Sequence, residues 1–301
     1  MTTKSTKSTK PTTQATEVNK TKTTSMTPRV ILAWLLAFGG LVGMVVSAWP
    51  TAAPQPPALP TPIPVTTAGA ATDFSLPSFK PPKTAIIVDQ LSVVYPNSTF
   101  VQTATNMLEK AGYQVTYIPH DEVTVNFYRT MPTRSDDIIL LRVHGTSVIL
   151  DEQGEKVQQP FVYLATGEPD EESKYLPEKQ LQWIGRFMSE NTGEKPVFIV
   201  MDPFFKQGMQ GNFDNSIIVM MGCDGMRGKE TARLFVNRGA KAVVGWTDLV
   251  SIDHTDKATL YLLKQYLVDG LSIDVAADKT FHDIGPDPGY KSELRVVMRQ
   301  G

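Results

Sequence analysis

The sequence predicts an α/β fold with a mostly parallel central sheet. From residue 83 onwards, short apolar runs alternate with helical patterns, as in chains whose parallel strands are joined by helices. Two of the runs, residues 138–143 and 216–221, are apolar almost throughout, which is typical of strands buried on both faces. We therefore expect one α/β domain over residues 83–301.

In the first half of this domain, strands and helices are expected in regular order. The patterns predict strands at residues 85–88, 114–118 and 137–143, with a helix at residues 99–111. Asn97 begins the glycosylation sequon Asn97-Ser98-Thr99, but it also stands where a helix N-cap falls, and we favour the cap. Apolar runs on both sides of a polar turn then predict a β-hairpin from residues 148–150 and 160–164.

In the second half, an acid-rich stretch and an amphipathic segment precede the next strands. The expected elements are the acid-rich residues 166–173, the amphipathic segment 178–188, strand 197–201, a short helix from Asp202-Pro203 to Gly208, strand 216–221, helix 229–237, strand 242–246 and helices 255–268 and 272–280. The tail at residues 293–298 is either a last strand or a loose end.

The chain before residue 83 differs in composition from the domain. Residues 1–28 are mostly Thr, Ser and Lys, which predicts a disordered tail, because such a segment buries too little apolar surface to offset its ordering entropy. Residues 29–49 contain the apolar run 30–49, long enough in helix to cross the ~30 Å core of a bilayer. We expect a transmembrane helix, the alternative being a cleaved signal peptide, whose apolar region is shorter. The Pro-rich residues 50–82 predict an extended linker.

Charge predicts the orientation of this helix and excludes some partners. Only one acid, Glu17, accompanies the Lys and Arg residues before the helix, and positive flanks stay in the cytoplasm. We expect a single-pass membrane protein with its domain outside the cytoplasm, the reverse topology being the alternative. Gly39 and Gly43 form a GxxxG spacing that would allow a homodimer through this helix. The net charge of −2 and the lack of a basic stripe argue against nucleic acid, and no metal or nucleotide motif predicts a cofactor.

Two chemically reactive side chains stand at the ends of two apolar runs in the domain. Cys223, the only cysteine, follows residues 216–221, and His144 follows residues 138–143. Neighbouring parallel strands would place both side chains at one edge of the sheet, as a thiolate nucleophile and its proton-transfer partner require. Both have glycine neighbours, which let backbone N–H groups approach a ligand closely. A buried structural cysteine is the alternative.

These features resemble the caspase-like fold of the clan CD cysteine peptidases, with the gingipain-like and CHAT branches closest. The resemblance covers about residues 85–277 and rests on these segments: His144-Gly145, Asp202-Pro203, Gly222-Cys223-Asp224-Gly225, residues 239–246, the helix from Thr255 and Gly270-Leu271-Ser272. It implies a caspase-like three-layer sandwich, with a mostly parallel sheet and helices on both faces.

The resemblance also implies a membrane-anchored cysteine endopeptidase that cleaves a protein or peptide through a thioester acyl-enzyme. Cys223 would be the nucleophile, and His144 would protonate the leaving amine. Backbone N–H groups of Gly145 and Cys223 would stabilise the oxyanion. The alternative is a catalytically inactive caspase-like module that serves as an anchored binding or signalling domain.

The substrate pocket is less well defined by the sequence. The related metacaspase branch has an acid two residues before its cysteine, where this chain has Met221. Several strand-end residues are pocket candidates instead: Asp89, Asp224, Asp248, Asp253 and Trp246. The acids are alternatively helix caps or solvated loop residues. Trp246 resembles the aromatic wall of the substrate cleft in these families and is alternatively a core residue.

Overall fold

The computed structural model describes residues 82–150, 155–188 and 195–300. The predicted N-terminal tail, the transmembrane helix and nearly all of the linker lie outside these residues. Within them, no helix combines the length and the apolar character needed to cross a membrane.

The described residues form strands and helices in alternation. The strands are β1 (Lys83–Asp89), β2 (Tyr113–Pro119), β3 (Ile138–Arg142), β4 (Gly145–Leu150), β5 (Lys156–Pro169), β6 (Ile184–Phe187), β7 (Val197–Val200), β8 (Ile217–Met220), β9 (Ala242–Trp246) and β10 (Leu294–Met298). The helices are α1 (Ser98–Lys110), α2 (Val125–Thr130), α3 (Leu176–Gln180), α4 (Glu230–Asn237), α5 (Ile252–Leu263) and α6 (Ile273–Ile284).

A six-stranded sheet in the order β10-β9-β8-β3-β1-β2 forms the centre of the fold. Every neighbouring pair is parallel except β10 and β9, which confirms the predicted α/β class and its mostly parallel sheet. The tail is therefore a strand, not a loose end. Because β3 and β8 are direct neighbours and run in the same direction, the residues that follow them meet at one edge of the sheet.

Helices cover both faces of this sheet, because alternate residues of each strand point to opposite sides. Helices α1, α5 and α6 pack on one face, with Phe100 and Leu262 in the same core as Leu140. Helices α2 and α4 pack on the other, where Phe235 joins Leu141. Both faces are thus removed from water, which is where the apolar strands gain their stabilisation.

A second, antiparallel sheet in the order β4-β5-β7-β6 lies on the α2 and α4 side and was not predicted as a sheet. Its β4–β5 pair confirms the predicted hairpin. The amphipathic segment 178–188 divides into the end of α3 and strand β6. Gln182 has a φ of 55°, which interrupts the helical backbone, and β6 then gains ladder bonds by pairing with β7.

The helices that the sequence predicted begin within three residues of the expected positions. The side chain of Asn97 accepts a hydrogen bond from the backbone N–H of Phe100 at 3.0 Å, which confirms the predicted cap of α1. Helix α5 begins at Ile252, three residues before the predicted start, and continues into a π-helical turn, Lys264–Val268. The segment after Asp202-Pro203 is also a π-helical turn, Phe204–Gly208.

Candidate active site

The register of the central sheet brings the ends of β3 and β8 together. Leu141 is paired with Met220, and the N–H of Met221 donates to the carbonyl of Leu141 at 2.9 Å. Continuing this parallel register by three residues aligns His144 with Cys223. Neighbouring strands lie about 4.8 Å apart, so the two predicted catalytic residues follow adjacent strands at matched heights.

Two glycines allow the strand ends to touch through their backbones. A Cβ atom on Gly145 would lie 2.4 Å from the carbonyl oxygen of Cys223, and one on Gly222 would lie 2.2 Å from that of Val143. Real Cβ contacts are never this short, so any side chain at either position would push the two strand ends apart. The glycines that flank His144 and Cys223 are therefore required by packing as well as useful for ligand approach.

The backbone of Gly145 is suitably placed to donate a hydrogen bond. Gly145 pairs with Leu164, and the adjoining N–H of Ala165 donates to the carbonyl of His144 at 3.0 Å. In antiparallel ladders this pattern marks a non-hydrogen-bonded pair, so the N–H of Gly145 points away from β5. The predicted oxyanion donors, Gly145 and Cys223, therefore lie side by side at the strand ends.

His144 is held by its backbone and by aromatic neighbours. Its N–H donates to the side-chain oxygen of Gln90 at 3.0 Å. Its half-buried ring lies edge-on to Tyr95, with ring centroids 6.1 Å apart, and tilted against Phe187 at 5.4 Å. Tyr95 follows β1, whereas Phe187 ends β6 of the second sheet, so both sheets define the position of the imidazole.

Cys223 is half-buried, and its sulfur lies against the backbone of Val250. The N–H of Val250 donates to Sγ at 3.4 Å, and Sγ lies 3.8 Å from the carbonyl oxygen of the same residue. Burial raises the pKa of the thiol, and the charges of Asp224 and Asp248 raise it further, against a lowering by the Val250 N–H. In this arrangement the group is a protonated thiol at neutral pH, and attack on a carbonyl requires a base.

Two of the predicted pocket acids, Asp89 and Asp224, are buried and bonded to other residues inside the protein. Asp89 is 1% exposed and pairs with Arg142 at 2.7 Å. Asp224 is 3% exposed and accepts hydrogen bonds from the N–H and hydroxyl of Ser147 at 3.0 and 2.7 Å. Both carboxylates are already bonded inside the protein, because a buried charge without partners is costly. Their role in a substrate pocket stays a prediction, and neither lines the cavity beside the site.

The other three pocket candidates have different environments. Trp246 is 1% exposed and donates through Nε1 to the hydroxyl of Thr255 at 2.9 Å, so it belongs to the core and forms no cleft wall. Asp248 is about half exposed and forms an ion pair with Arg227. Asp253 is exposed and is the only one of the five predicted pocket residues that lines the cavity beside the site.

This cavity has a volume of about 470 Å³, within the range of small-ligand sites. Its lining includes Tyr95, which contacts the ring of His144, and Ser251, which follows Val250 at the sulfur of Cys223. The lining also includes Arg142. The cavity is therefore lined by one neighbour of each residue of the predicted dyad, although His144 and Cys223 are not in its lining.

Sequence reasoning missed several of these residues, and some of them carried a signal. Arg142 is a lone charge within an apolar strand, which indicates a buried ion pair. Its second partner is Asp256 in α5, at 2.9 Å. Gln90 follows β1 at the same sheet edge as His144 and was open to the same strand-end argument. Phe187 had no such signal, because its position depends on the second sheet.

Comparison with known proteins adds no assignment to this geometry. No protein-family model matches the chain, and no curated protein matches it. Across the described ranges, no group of three or more His, Cys, Asp and Glu side chains could hold a metal ion. The caspase-like family therefore remains a prediction from the motifs.

Proposed function

We propose that the protein is a caspase-like cysteine endopeptidase in which His144 and Cys223 form the catalytic dyad. The observation that carries this proposal is the shared register of β3 and β8, which aligns the two residues at one edge of the sheet. The backbone contact through Gly145 and Gly222 supports it, because only glycine permits that approach.

The chemistry assigned to the dyad is acyl transfer. The imidazole of His144 accepts the thiol proton as Sγ of Cys223 attacks the carbonyl carbon of the peptide bond. The carbon–nitrogen bond then breaks, the imidazole gives its proton to the leaving amine, and a thioester remains. Water hydrolyses the thioester, releasing the acid and restoring the thiol. The raised pKa of Cys223 makes a neighbouring base necessary for the first step.

The negative charge that develops on the carbonyl oxygen needs donors at the same sheet edge. The N–H of Gly145 points away from its ladder partner, and the N–H of Cys223 lies beside it at the strand end. In other enzymes, removing one such donor costs roughly 3 kcal/mol of transition-state stabilisation.

The cavity next to the dyad is the proposed site for the side chain that precedes the cut. Asp253 lines it, and Arg142 in its lining is bonded to the buried carboxylates of Asp89 and Asp256. One positive charge thus accompanies three negative ones, so we expect a cationic substrate side chain to be favoured over an anionic one. A peptide library that varies this position tests the preference, and a preference for acidic residues would contradict it.

The proposed location follows from the sequence before the domain. We assign the enzyme to the outer face of a membrane, anchored by residues 30–49. Protease treatment of intact cells tests this assignment. A domain that is degraded only after lysis would overturn the orientation.

The second candidate is the inactive binding module, and one observation favours it. The sulfur of Cys223 is hydrogen-bonded to Val250, and burial raises its pKa, as expected for a cysteine with a packing role. Both candidates share the fold, so they are separated only by the reactivity of the thiol.

The deciding experiment is alkylation of the full-length chain, in mild detergent, by iodoacetamide between about pH 5 and pH 9. Because Cys223 is the only cysteine, all labelling reports on it. We compare the parent with His144→Ala and with His282→Ala, a matched control at an exposed histidine. Slower labelling in His144→Ala alone supports the dyad. An equal labelling rate in the parent and in His144→Ala would support the binding module.

A further inference from the structure

Gln90 is a buried polar residue that directly follows β1. It is 1% exposed. Strand β1 lies next to β3 on the side opposite β8, so the end of β3 has Gln90 on one side and Cys223 on the other. Gln90 does not belong to the lining of the cavity beside the site, nor to the smaller cavity near Tyr117.

The side chain of Gln90 is bonded to the main chain of His144. Its Oε1 accepts the N–H of His144 at 3.0 Å. On the far side, the carbonyl of His144 accepts the N–H of Ala165 at 3.0 Å. His144 lies between β3 and β4 and belongs to neither strand. These two hydrogen bonds therefore fix the position of its backbone.

Gln90 is itself held in place by the end of β2. Its backbone carbonyl accepts a hydrogen bond from Nδ1 of His120, and the N–H of His120 donates to the hydroxyl of Ser92 at 3.1 Å. The carbonyl partner implies that Nδ1 carries the proton. The chain of contacts therefore runs from β2 through Gln90 to His144.

Resting on the proposed function, we infer that Gln90 is a positioning residue that fixes the imidazole of His144 opposite Cys223. It acts through the main chain of His144 and does not touch the substrate. Its loss therefore slows the chemical step without weakening substrate binding, because small displacements of a catalytic group reduce its rate strongly.

Two substitutions in the full-length protein separate positioning from simple support of the fold. Gln90→Met keeps the length of the side chain but removes the acceptor. Gln90→Glu keeps the acceptor and adds a charge. Gln114→Met, at an exposed position in β2, is the matched control. The readouts are kcat and KM on a library-selected peptide, the alkylation profile of Cys223 against pH, and thermal unfolding.

We expect Gln90→Met to lower kcat by about tenfold with KM within about twofold, and to slow the His144-dependent alkylation. We expect Gln90→Glu to retain kcat within about threefold at its own optimum. Its alkylation onset moves to higher pH, because a negative charge disfavours the thiolate, as Asp224 and Asp248 already do. Gln114→Met should match the parent in every readout.

The outcomes distinguish this inference from the proposed function. If alkylation of the parent does not depend on His144, the dyad itself fails. If it depends on His144 but is unchanged in Gln90→Met, only the positioning role is overturned. Should Gln90→Met not fold, Gln90→Glu decides: a kcat within about threefold of the parent would support the role of the acceptor, and a kcat about tenfold lower with the acceptor still present would overturn it.

Discussion

Two arginines near the site each join a pair of aspartates, but the two clusters differ in their exposure to water. Arg142 bonds Asp89 and Asp256, and these three side chains are 1, 1 and 5% exposed. Arg227 bonds Asp224 and Asp248, with side chains that are 31, 3 and 47% exposed. The cluster around Arg142 is thus buried throughout. In the cluster around Arg227, only Asp224 is buried.

The buried cluster connects the elements beneath the cavity. Arg142 comes from β3, Asp89 from β1 and Asp256 from α5, and the guanidinium also donates to the carbonyl of Tyr95 at 2.8 Å. Burial alone would lower the pKa of Arg142, but the two aspartates raise it, so the arginine remains charged. Its removal would leave two carboxylates without their main partner in a region of low dielectric.

The exposed cluster connects the turn after Cys223 to its surroundings. Asp224 has a φ of 63°, in the left-handed region that Asp tolerates better than most residues. Its carboxylate joins this turn to Ser147 in β4. Burial, and not the number of ion pairs, determines which cluster supports the fold.

The largest effect is expected from Arg142→Met. Removing the arginine leaves the buried Asp89 and Asp256 unpaired, so the free energy of unfolding should fall by about 3–5 kcal/mol. Urea denaturation measures this. Arg233→Met is the matched control, because Arg233 and its partner Glu230 are 56 and 37% exposed, and it should change stability by less than about 0.5 kcal/mol. Equal losses in the two variants would contradict the comparison.

A smaller loss is expected from Asp224→Asn. The amide retains one acceptor, but its NH₂ group faces donors from Ser147 or Arg227, so one hydrogen bond is lost. Stability should fall by about 1–3 kcal/mol in urea. Ser147→Ala removes only the hydroxyl and should cost about 1 kcal/mol. If Asp224→Asn lowers the free energy of unfolding no more than Ser147→Ala does, the negative charge of Asp224 does not contribute to stability.

Asp287 is a carboxylate that is stabilised by hydrogen bonds and not by an arginine, and its contribution to stability depends on pH. Asp287 accepts bonds from the N–H and hydroxyl of Ser251 and from the N–H groups of Gly289 and Tyr290. Burial would raise its pKa, but these bonds outweigh burial and lower the pKa from 3.8 to about 2. Its stabilisation is therefore full above about pH 4 and is lost as the pH falls towards 2.

Asp287→Asn tests this dependence. We expect the variant to lose on the order of 2 kcal/mol at neutral pH and to show a flatter fall in stability between about pH 4 and pH 2. Urea unfolding at several pH values measures both. A variant whose stability falls as steeply as that of the parent in this window would assign the acid sensitivity to other groups.

The smallest effect on stability is expected from Asp248→Asn. Asp248 is about half exposed, so loss of its pair with Arg227 should change stability by less than about 0.5 kcal/mol. Its charge nevertheless raises the pKa of Cys223, so the variant should lower that pKa and move the onset of alkylation to lower pH. If the pH at which alkylation begins is unchanged or higher in the variant, the charge of Asp248 does not raise the pKa of Cys223.

Much of the fold was predictable because its signals are local. The apolar runs at β3 and β8 and the cap at Asn97 depend on periodicity and on neighbouring backbone groups. The second sheet was not predictable from such signals. Strand β6 looked like part of a longer amphipathic segment, and only its pairing with β7 makes it a strand.

The candidate site divides in the same way. The sequence identified His144 and Cys223 from their positions after apolar runs, and Gly145 and Gly222 from their neighbourhood. It did not identify Gln90, although Gln90 also follows a strand, because the bond from its side chain to His144 depends on β1 lying next to β3. It also placed Asp89 in the substrate pocket, because a strand-end position does not reveal that Arg142 binds it inside the protein.

Local periodicity and residue type thus predict the α/β class, the two apolar strands that precede the reactive residues, and the glycines beside them. The packing of the two sheets and their helices decided which charges are buried and which line the cavity. It also decided which neighbours hold the imidazole, and that Sγ of Cys223 lies against Val250. Burial, ion pairing and the pKa of a thiol depend on groups far apart in the chain, which only the packed sheets bring together.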